Sequence, residues 1–152
     1  MKVRLGEPTD LEEVVALERA AEEAPHWPVT LYQAMLQENS ADEGLRRVFV
    51  AETAAGLVGF AVGLCHPGGS GELESVVVEA RSRRTGTGRA LCAAVLDWCR
   101  SRGANAVELE VRAGSLGAIA LYRQLGFSEV GRRPAYYRNP EDDAVLMQAA
   151  LR

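Results

Sequence analysis

Hydrophobic positions change period several times along the 152 residues, and each change marks an element. Lys2–Leu5 reads as a short strand, and Thr9-Asp10-Leu11-Glu12 has the spacing of a capping box, which predicts a helix from there to about Glu23. Leu11, Val14, Val15, Leu17 and Ala21 make up its apolar side. Ala24-Pro25-His26-Trp27-Pro28 breaks it, because proline fixes φ and removes a donor. Thr30 to about Glu38 resumes a helix, with Leu31, Ala34 and Met35 on one side. Then the pattern turns β-like: Arg47–Thr53 and Leu57–Leu64 read as an antiparallel hairpin around Ala54-Ala55-Gly56. His66-Pro67-Gly68-Gly69-Ser70 reads as a loop, and Glu72–Glu79 as a third central strand ending in Val76-Val77-Val78.

Beyond this strand the helical period returns from Gly88 to about Arg102, with Leu91, Val95 and Trp98 inward and Gly103 as the stop. Ala106–Val111 is a strand, Ser115–Leu125 a short helix closed by Gly126, and Phe127–Arg132 with Asp143–Ala149 a closing pair of strands. The order is strand, two helices, three strands, helix, strand, helix, two strands. It predicts an α/β fold within one domain, residues 1–152: a mixed central sheet of about six to seven strands flanked by about four helices. No internal repeat, linker or low-complexity tract interrupts it.

Composition narrows the classes. The chain is 47% apolar and 25% charged, as a globular domain with its own core is. Apolar stretches such as Leu57–Cys65 fall far short of the ~18 to 20 residues that span a bilayer, and Met1-Lys2-Val3-Arg4 leads into acidic sequence rather than an apolar export segment. The expectation is a cytoplasmic protein that needs no membrane. Cys65, Cys92 and Cys99 are an odd set without a CxxC pair, and the last two, on one helix, would stand about 10 Å apart along its axis. Buried thiols are expected rather than a disulfide or a metal site. His26 and His66 read as loop residues.

The net charge of −4 is uneven. Residues 1–43 hold ten acids and three bases, whereas Arg81, Arg83, Arg84 and Arg89 fall within nine residues that contain no acid. An anion could dock there, or the segment could be a solvated turn. No long basic tract interleaved with aromatics accompanies it, so no nucleic-acid partner is expected. At the same place a strand runs through Arg83-Arg84-Thr85-Gly86-Thr87-Gly88-Arg89 into a helix. Glycines let the backbone aim N–H groups at a ligand, and a helix start adds partial positive charge, so a pyrophosphate fits. The segment lacks the lysine and hydroxyl residue of a P-loop and the glycine spacing of a dinucleotide fold. A tight turn without a ligand accounts for the same residues.

From Glu72 onward the sequence resembles the GNAT N-acetyltransferases. Val78 to Gly88 is similar to their acyl-CoA signature, Q/R-x-x-G-x-G/A after a strand. Leu109-Glu110-Val111-Arg112, Ala118-Ile119-Ala120-Leu121-Tyr122, Leu125-Gly126-Phe127, Arg132-Arg133-Pro134-Ala135-Tyr136-Tyr137, and Asp143-Ala144 with Met147 resemble one branch, the RimI-type protein N-terminal alanine acetyltransferases. Pro25-His26-Trp27-Pro28 is similar to a Pro-Trp segment of that branch.

The resemblance implies a GNAT fold and acetyl-CoA as co-substrate, with no metal. Val76, Val77 and Val78 would pair their backbone with the pantetheine arm, and Arg83, Arg84, Thr85, Gly86, Thr87, Gly88 and Arg89 would wrap the pyrophosphate. Ser115, which stands where the family usually has asparagine, and Ala118 would lie along the cofactor. Glu110 matches the proposed base of the branch and Tyr122 the proposed acid, while Glu72 occupies the place of a catalytic glutamate in other GNAT branches. Both Glu108 and Glu110 could instead lie on a solvent face, since they alternate with Val107, Leu109 and Val111. Tyr122 could be core.

Trp27, Tyr136 and Tyr137 could line an acceptor groove, although Trp27 could equally plug the core. Only five residues separate Tyr137 from Asp143, slightly fewer than in the branch. The implied reaction is acetyl transfer to a protein N-terminal α-amine by direct attack. The alternatives are a small-amine or amino-acid-like acceptor, and a non-catalytic acyl-CoA-binding module. The chain would work as a monomer or homodimer.

Overall fold

The computed structural model describes residues 1–37, 46–66 and 68–151. Seven strands form one sheet in the order β1-β2-β3-β4-β5-β7-β6. They are β1 (Lys2–Leu5), β2 (Arg46–Thr53), β3 (Gly56–Cys65), β4 (Gly71–Val78), β5 (Ala106–Arg112), β6 (Ser128–Tyr137) and β7 (Asp142–Ala150). Four helices accompany them: α1 (Leu11–Ala20), α2 (Val29–Met35), α3 (Thr87–Ser101) and α4 (Leu116–Gln124). Neighbouring strands are antiparallel except β4 and β5, which run parallel.

Each face of the sheet has its own core. On one, Leu91, Cys92, Val95 and Cys99 of α3 and Ile119 of α4 pack on Ala61, Leu73, Val107, Leu109 and Met147. On the other, Val14 of α1 and Tyr32 and Met35 of α2 pack on Val48, Val50, Phe60, Val62 and Val77. Tyr32 meets Phe60 edge-on at 5.9 Å, a contact worth about 1 kcal/mol beyond the area it buries. Cys65, Cys92 and Cys99 are free and buried, as the odd count without a CxxC pair suggested. No helix among the described residues is long and apolar enough to cross a membrane.

Several boundaries differ from the sequence reading. The Thr9–Glu12 box does not form. Instead Pro8–Asp10 makes a 3-10 turn in which the Asp10 carboxylate accepts the Glu7 N–H at 2.7 Å. Proline after Glu7 favours that earlier start. Helix α1 stops at Ala20, since Ala21 is already extended (φ −96°, ψ 114°). Helix α2 begins at Val29, straight after Pro28; its expected end near Glu38 lies outside the described residues, as does Pro67 of the expected loop. Helix α3 begins one residue before Gly88, at Thr87. Strand β6 runs five residues past the expected Arg132, to Tyr137, with a register shift between Arg133 and Tyr137.

Two irregularities in β4 shape the molecule's centre. Val62 pairs with Ser75 but Gly63 pairs with Leu73, so Glu74 is an extra, bulged residue. The bulge inverts the alternation: Leu73 faces the α3 side, whereas beyond it Val76 and Val78 face that side and Val77 the other. The second irregularity is that β4 pairs with β5 only at Gly71↔Val107 and Glu72↔Glu108. Past those positions the strands part, while β5 stays paired with β7 along its whole length. The valines that end β4 therefore have β3 on one side and no strand on the other.

Candidate active site

The parted strands leave a gap in the sheet beside the end of β4. On the β4 side stand Val76, Val77 and Val78, whose backbone pairs with Ala61, Phe60 and Gly59 of β3. Their outer edge is the kind that an extended ligand can join through main-chain hydrogen bonds.

The chain leaves β4 through a turn at Ala80–Ser82 and enters α3 through Arg83–Gly86. Arg84 and Gly86 are left-handed, with φ of 62° and 87°. For Gly86 that conformation is free; for Arg84 it is strained, held against its ordinary preference at a place where the backbone must reverse direction. The first helical bond is from the Ala90 N–H to the Gly86 carbonyl at 3.0 Å, so the amides of Thr87, Gly88 and Arg89 lack helical acceptors. Thr87 is buried and its hydroxyl lies 2.9 Å from that of Thr85, which fixes the turn from within.

The four arginines are not equivalent. Arg83 folds back so that its Nε donates to the Val78 carbonyl at 3.2 Å, and Arg89 donates to Gln124 of α4 at 2.8 Å. Arg81 is exposed beside Glu79. Arg84 makes no side-chain hydrogen bond or ion pair among the described residues.

Gly88 adds an independent observation. A Cβ built there would lie 3.6 Å from Leu121 Cδ2 and 3.7 Å from Val78 Cγ2, ordinary van der Waals contacts. The chain itself does not require glycine at 88. A bare backbone there suits a ligand that approaches the helix start closely.

Glu110 and Tyr122 lie on opposite faces of the sheet. On β5, Val107, Leu109 and Val111 point into the α3 and α4 core, so Glu108 and Glu110 point to the other face. Both are exposed, and neither is idle: Glu108 accepts from Gln148 at 3.3 Å, and the Glu110 carboxylate lies 2.9 Å from Arg133 Nε. Tyr122 sits on α4, its ring against Phe127 at 5.8 Å. Its hydroxyl has no partner among the described residues, where no buried polar side-chain atom is left unpaired, so the hydroxyl opens to solvent while the ring packs on the core.

Burial pushes the Tyr122 phenol well above its usual range, with Cys92 and Tyr137 adding to the shift. Tyr137 links the two groups. Its own phenol is raised by burial first and then by the Glu110 charge.

Glu72 lies on the same face as Glu110, opposite Glu108 in the register. Its surroundings raise its carboxyl, burial first and then Glu74 and Glu108. No cation pairs with it among the described residues, and it stands where the strands are still joined rather than where they part. Ser115 precedes α4, its hydroxyl 3.4 Å from the Glu23 carboxylate, while Ala118 packs against the α3-side core.

The candidate acceptor residues divide in the same way. Trp27 packs on the α1 and α2 core with its ring 5.8 Å from Tyr32, yet it keeps part of its surface open. Tyr136 and Tyr137 meet edge-on at 5.1 Å, Tyr136 exposed and Tyr137 half-buried. His26 and His66 are exposed and remote in role, as expected of loop residues. Among the described residues no group of three or more acids, cysteines and histidines could hold a metal ion.

Three residues escaped the sequence reading. Glu18 is 0% exposed, accepts from the Trp27 N–H at 2.8 Å and the Tyr32 hydroxyl at 2.9 Å, and pairs with Arg19. Its signal was present: it falls at i+7 from Leu11 and i+4 from Val14, a charge on an apolar stripe. Arg112 donates to the carbonyls of Pro140 and Arg138 at 2.9 and 3.1 Å and lies 4.6 Å over the Tyr137 ring. Arg133, beside Glu110, depends on a strand register that no local pattern specifies.

Known proteins resemble this chain in sequence and fold. The N-alpha-acetyltransferase of Sulfurisphaera tokodaii is 32% identical over 99% of this chain and 93% of its own. The [ribosomal protein bS18]-alanine N-acetyltransferase of Escherichia coli K12 is 40% identical over 77 residues, 49% of this chain, and the match takes in about half (52%) of that relative's length. The crystal structure of the ribosomal-protein-S18-alanine N-acetyltransferase from Escherichia coli superposes with a TM-score of 0.83 at 28% identity, covering 98% of this chain and 92% of that one. Residues 11–127 match the acetyltransferase (GNAT) family as a whole. With that span, the parted β4 and β5 and the glycine turn into α3, the chain belongs to the acetyltransferase (GNAT) family.

Proposed function

We propose that this protein is a cytoplasmic, acetyl-CoA-dependent N-acetyltransferase, built as one domain, whose acceptor is a protein N-terminal α-amine such as the N-terminal alanine of a ribosomal protein. The observation that carries the reading is the gap between β4 and β5, with a candidate base on one face, a candidate acid on the other and an amide-lined turn at its end. The bare backbone at Gly88 and the unengaged Arg84 fit a pyrophosphate, and the free edge of Val76–Val78 fits an amide-bearing arm.

Acetyl-CoA supplies the thioester carbonyl: the amine nitrogen forms the new C–N bond as the C–S bond breaks. The chain's own residues manage the protons. An amine attacks only when neutral, and near pH 7 about a tenth of α-amines are, against under about a thousandth of lysine side chains. Glu110, directly or through one water, takes the proton that the ammonium must lose. Tyr122, neutral near pH 7 as tyrosine ordinarily is, is the group assigned to protonate the departing thiolate. Glu72, set back where the strands are joined, is assigned no step. The preference for an α-amine is supported by the two relatives named above, both N-terminal transferases by name, and by Trp27, Tyr136 and Tyr137 on loops and edges open to a chain end.

The test is CoA release from acetyl-CoA with two acceptor sets: short peptides with free Ala, Ser or Met N-termini, and a panel of small amines. Turnover confined to the peptides and abolished by N-terminal blocking is expected. Turnover on small amines alone would give the enzyme a metabolite acceptor, and CoA binding without turnover on either set would make it a binding module.

A further inference from the structure

Arg133 projects from β6, an edge strand, and reaches back across β7 to the carboxylate of Glu110 on β5, at 2.9 Å. Both side chains remain open to solvent, 59% and 36% exposed. The neighbouring arginines have other work. Arg132 pairs with Glu129 and Asp143, and Arg112 holds the carbonyls of the β6–β7 turn. Glu72, the other candidate base, has no such partner among the described residues. In its position beside Glu110 the Arg133 guanidinium also lies over Tyr136, its Cζ 5.6 Å from the ring centroid.

We propose that Arg133 gates the acceptor, occupying the Glu110 carboxylate until the incoming ammonium displaces it. The inference rests on Glu110 as the base. An exposed ion pair is weak enough to exchange with an incoming cation. The acetylated product is a neutral amide and cannot compete. Once the amide has formed and Glu110 has passed its proton to water, Arg133 returns to the carboxylate and the product loses its place. The gate thus admits cations and helps to expel the amide, without taking part in bond making.

The experiment compares wild type, Arg133→Gln, Arg133→Lys and Glu110→Gln, using a short peptide with a free N-terminal alanine, and its acetylated form as inhibitor. Arg133→Gln is expected to lower KM for the peptide about threefold, in the range an exposed ion pair allows, and to strengthen inhibition by the acetylated peptide. The KM for acetyl-CoA stays put, and Arg133→Lys returns both readouts toward wild type. A merely structural arginine would raise the peptide KM or shift all constants together. If Glu110→Gln abolishes turnover while Arg133→Gln leaves the peptide KM and product inhibition unchanged, the gate is wrong and the base stands. If Glu110→Gln keeps full turnover, the base fails, and the gate with it.

Discussion

At the scale of single residues, the proposed reaction divides the proton work between Glu110 and Tyr122. Glu110 is solvent-exposed and paired with Arg133, so in that reading a proton it accepts can leave to water. Glu110→Gln removes that acceptor and is expected to slow kcat by about 10²- to 10⁴-fold while leaving the KM for acetyl-CoA near its wild-type value. Steady-state kinetics with both substrates varied checks this. Tyr122 is shifted upward, which for an acid means that the neutral, proton-donating form persists further into alkali. Wild-type kcat should therefore show no alkaline loss from this group below about pH 10, the ordinary tyrosine value. Tyr122→Phe should lower kcat across the whole profile without moving its alkaline side. These two residues were legible from the motifs that carry the family resemblance. Arg133 was not, because its meeting with Glu110 is made by two strand pairings through β7.

At the scale of elements, two junctions set the site: the turn into α3 and the loop from α1 to α2. Gly86 and Gly88 separate shape from function. At Gly86, φ of 87° strains any side chain, so Gly86→Ala should cost about 1–2 kcal/mol of stability. At Gly88 an added Cβ finds only ordinary contacts, and alanine suits a helix better than glycine, so Gly88→Ala should leave stability unchanged or raise it by up to about 1 kcal/mol. The same change should leave the KM for acetyl-CoA within about threefold, because the signature this turn resembles takes glycine or alanine at that place. Denaturant melts paired with CoA titration check both halves. In the other junction, Glu18 holds the Trp27 amide and the Tyr32 hydroxyl. Glu18→Ala strands both donors, while Arg19 keeps its bond to the Trp27 carbonyl, at a cost of about 2–4 kcal/mol. In the surviving folded protein the acceptor KM should rise more than that for acetyl-CoA. The helices and strands themselves were readable because each has a clean period. The Glu74 bulge was not, since its effect is a phase change between Leu73 and Val76 that looks locally like an uninterrupted apolar run.

Across the whole molecule, the sheet is continuous from β1 to β6 yet opens in the middle, and the two cores on its faces keep that opening in place. Element order and fold class followed from the sequence because alternating and helical periods succeed each other without a gap. The parting of β4 from β5 did not, since strand separation depends on what packs on both faces at once. Burial pushes the Cys92 and Cys99 thiols up to about 12 and raises the Tyr32 phenol as well. These groups bind protons more tightly folded than unfolded, so the stability they contribute is complete below about pH 8.5 and declines as pH rises toward 12. Melting temperatures taken from pH 7 to 11 should fall along that range, and thiol reagents should label the native protein only as fast as it unfolds. The central claim, acetyl transfer from acetyl-CoA to an N-terminal α-amine, is tested most directly by locating the acetyl group. A peptide with a free N-terminal alanine and an internal lysine, incubated with enzyme and acetyl-CoA, is sequenced by tandem mass spectrometry. Acetyl on the α-nitrogen alone is the predicted result; acetyl on the lysine ε-nitrogen, or on neither nitrogen, would contradict it.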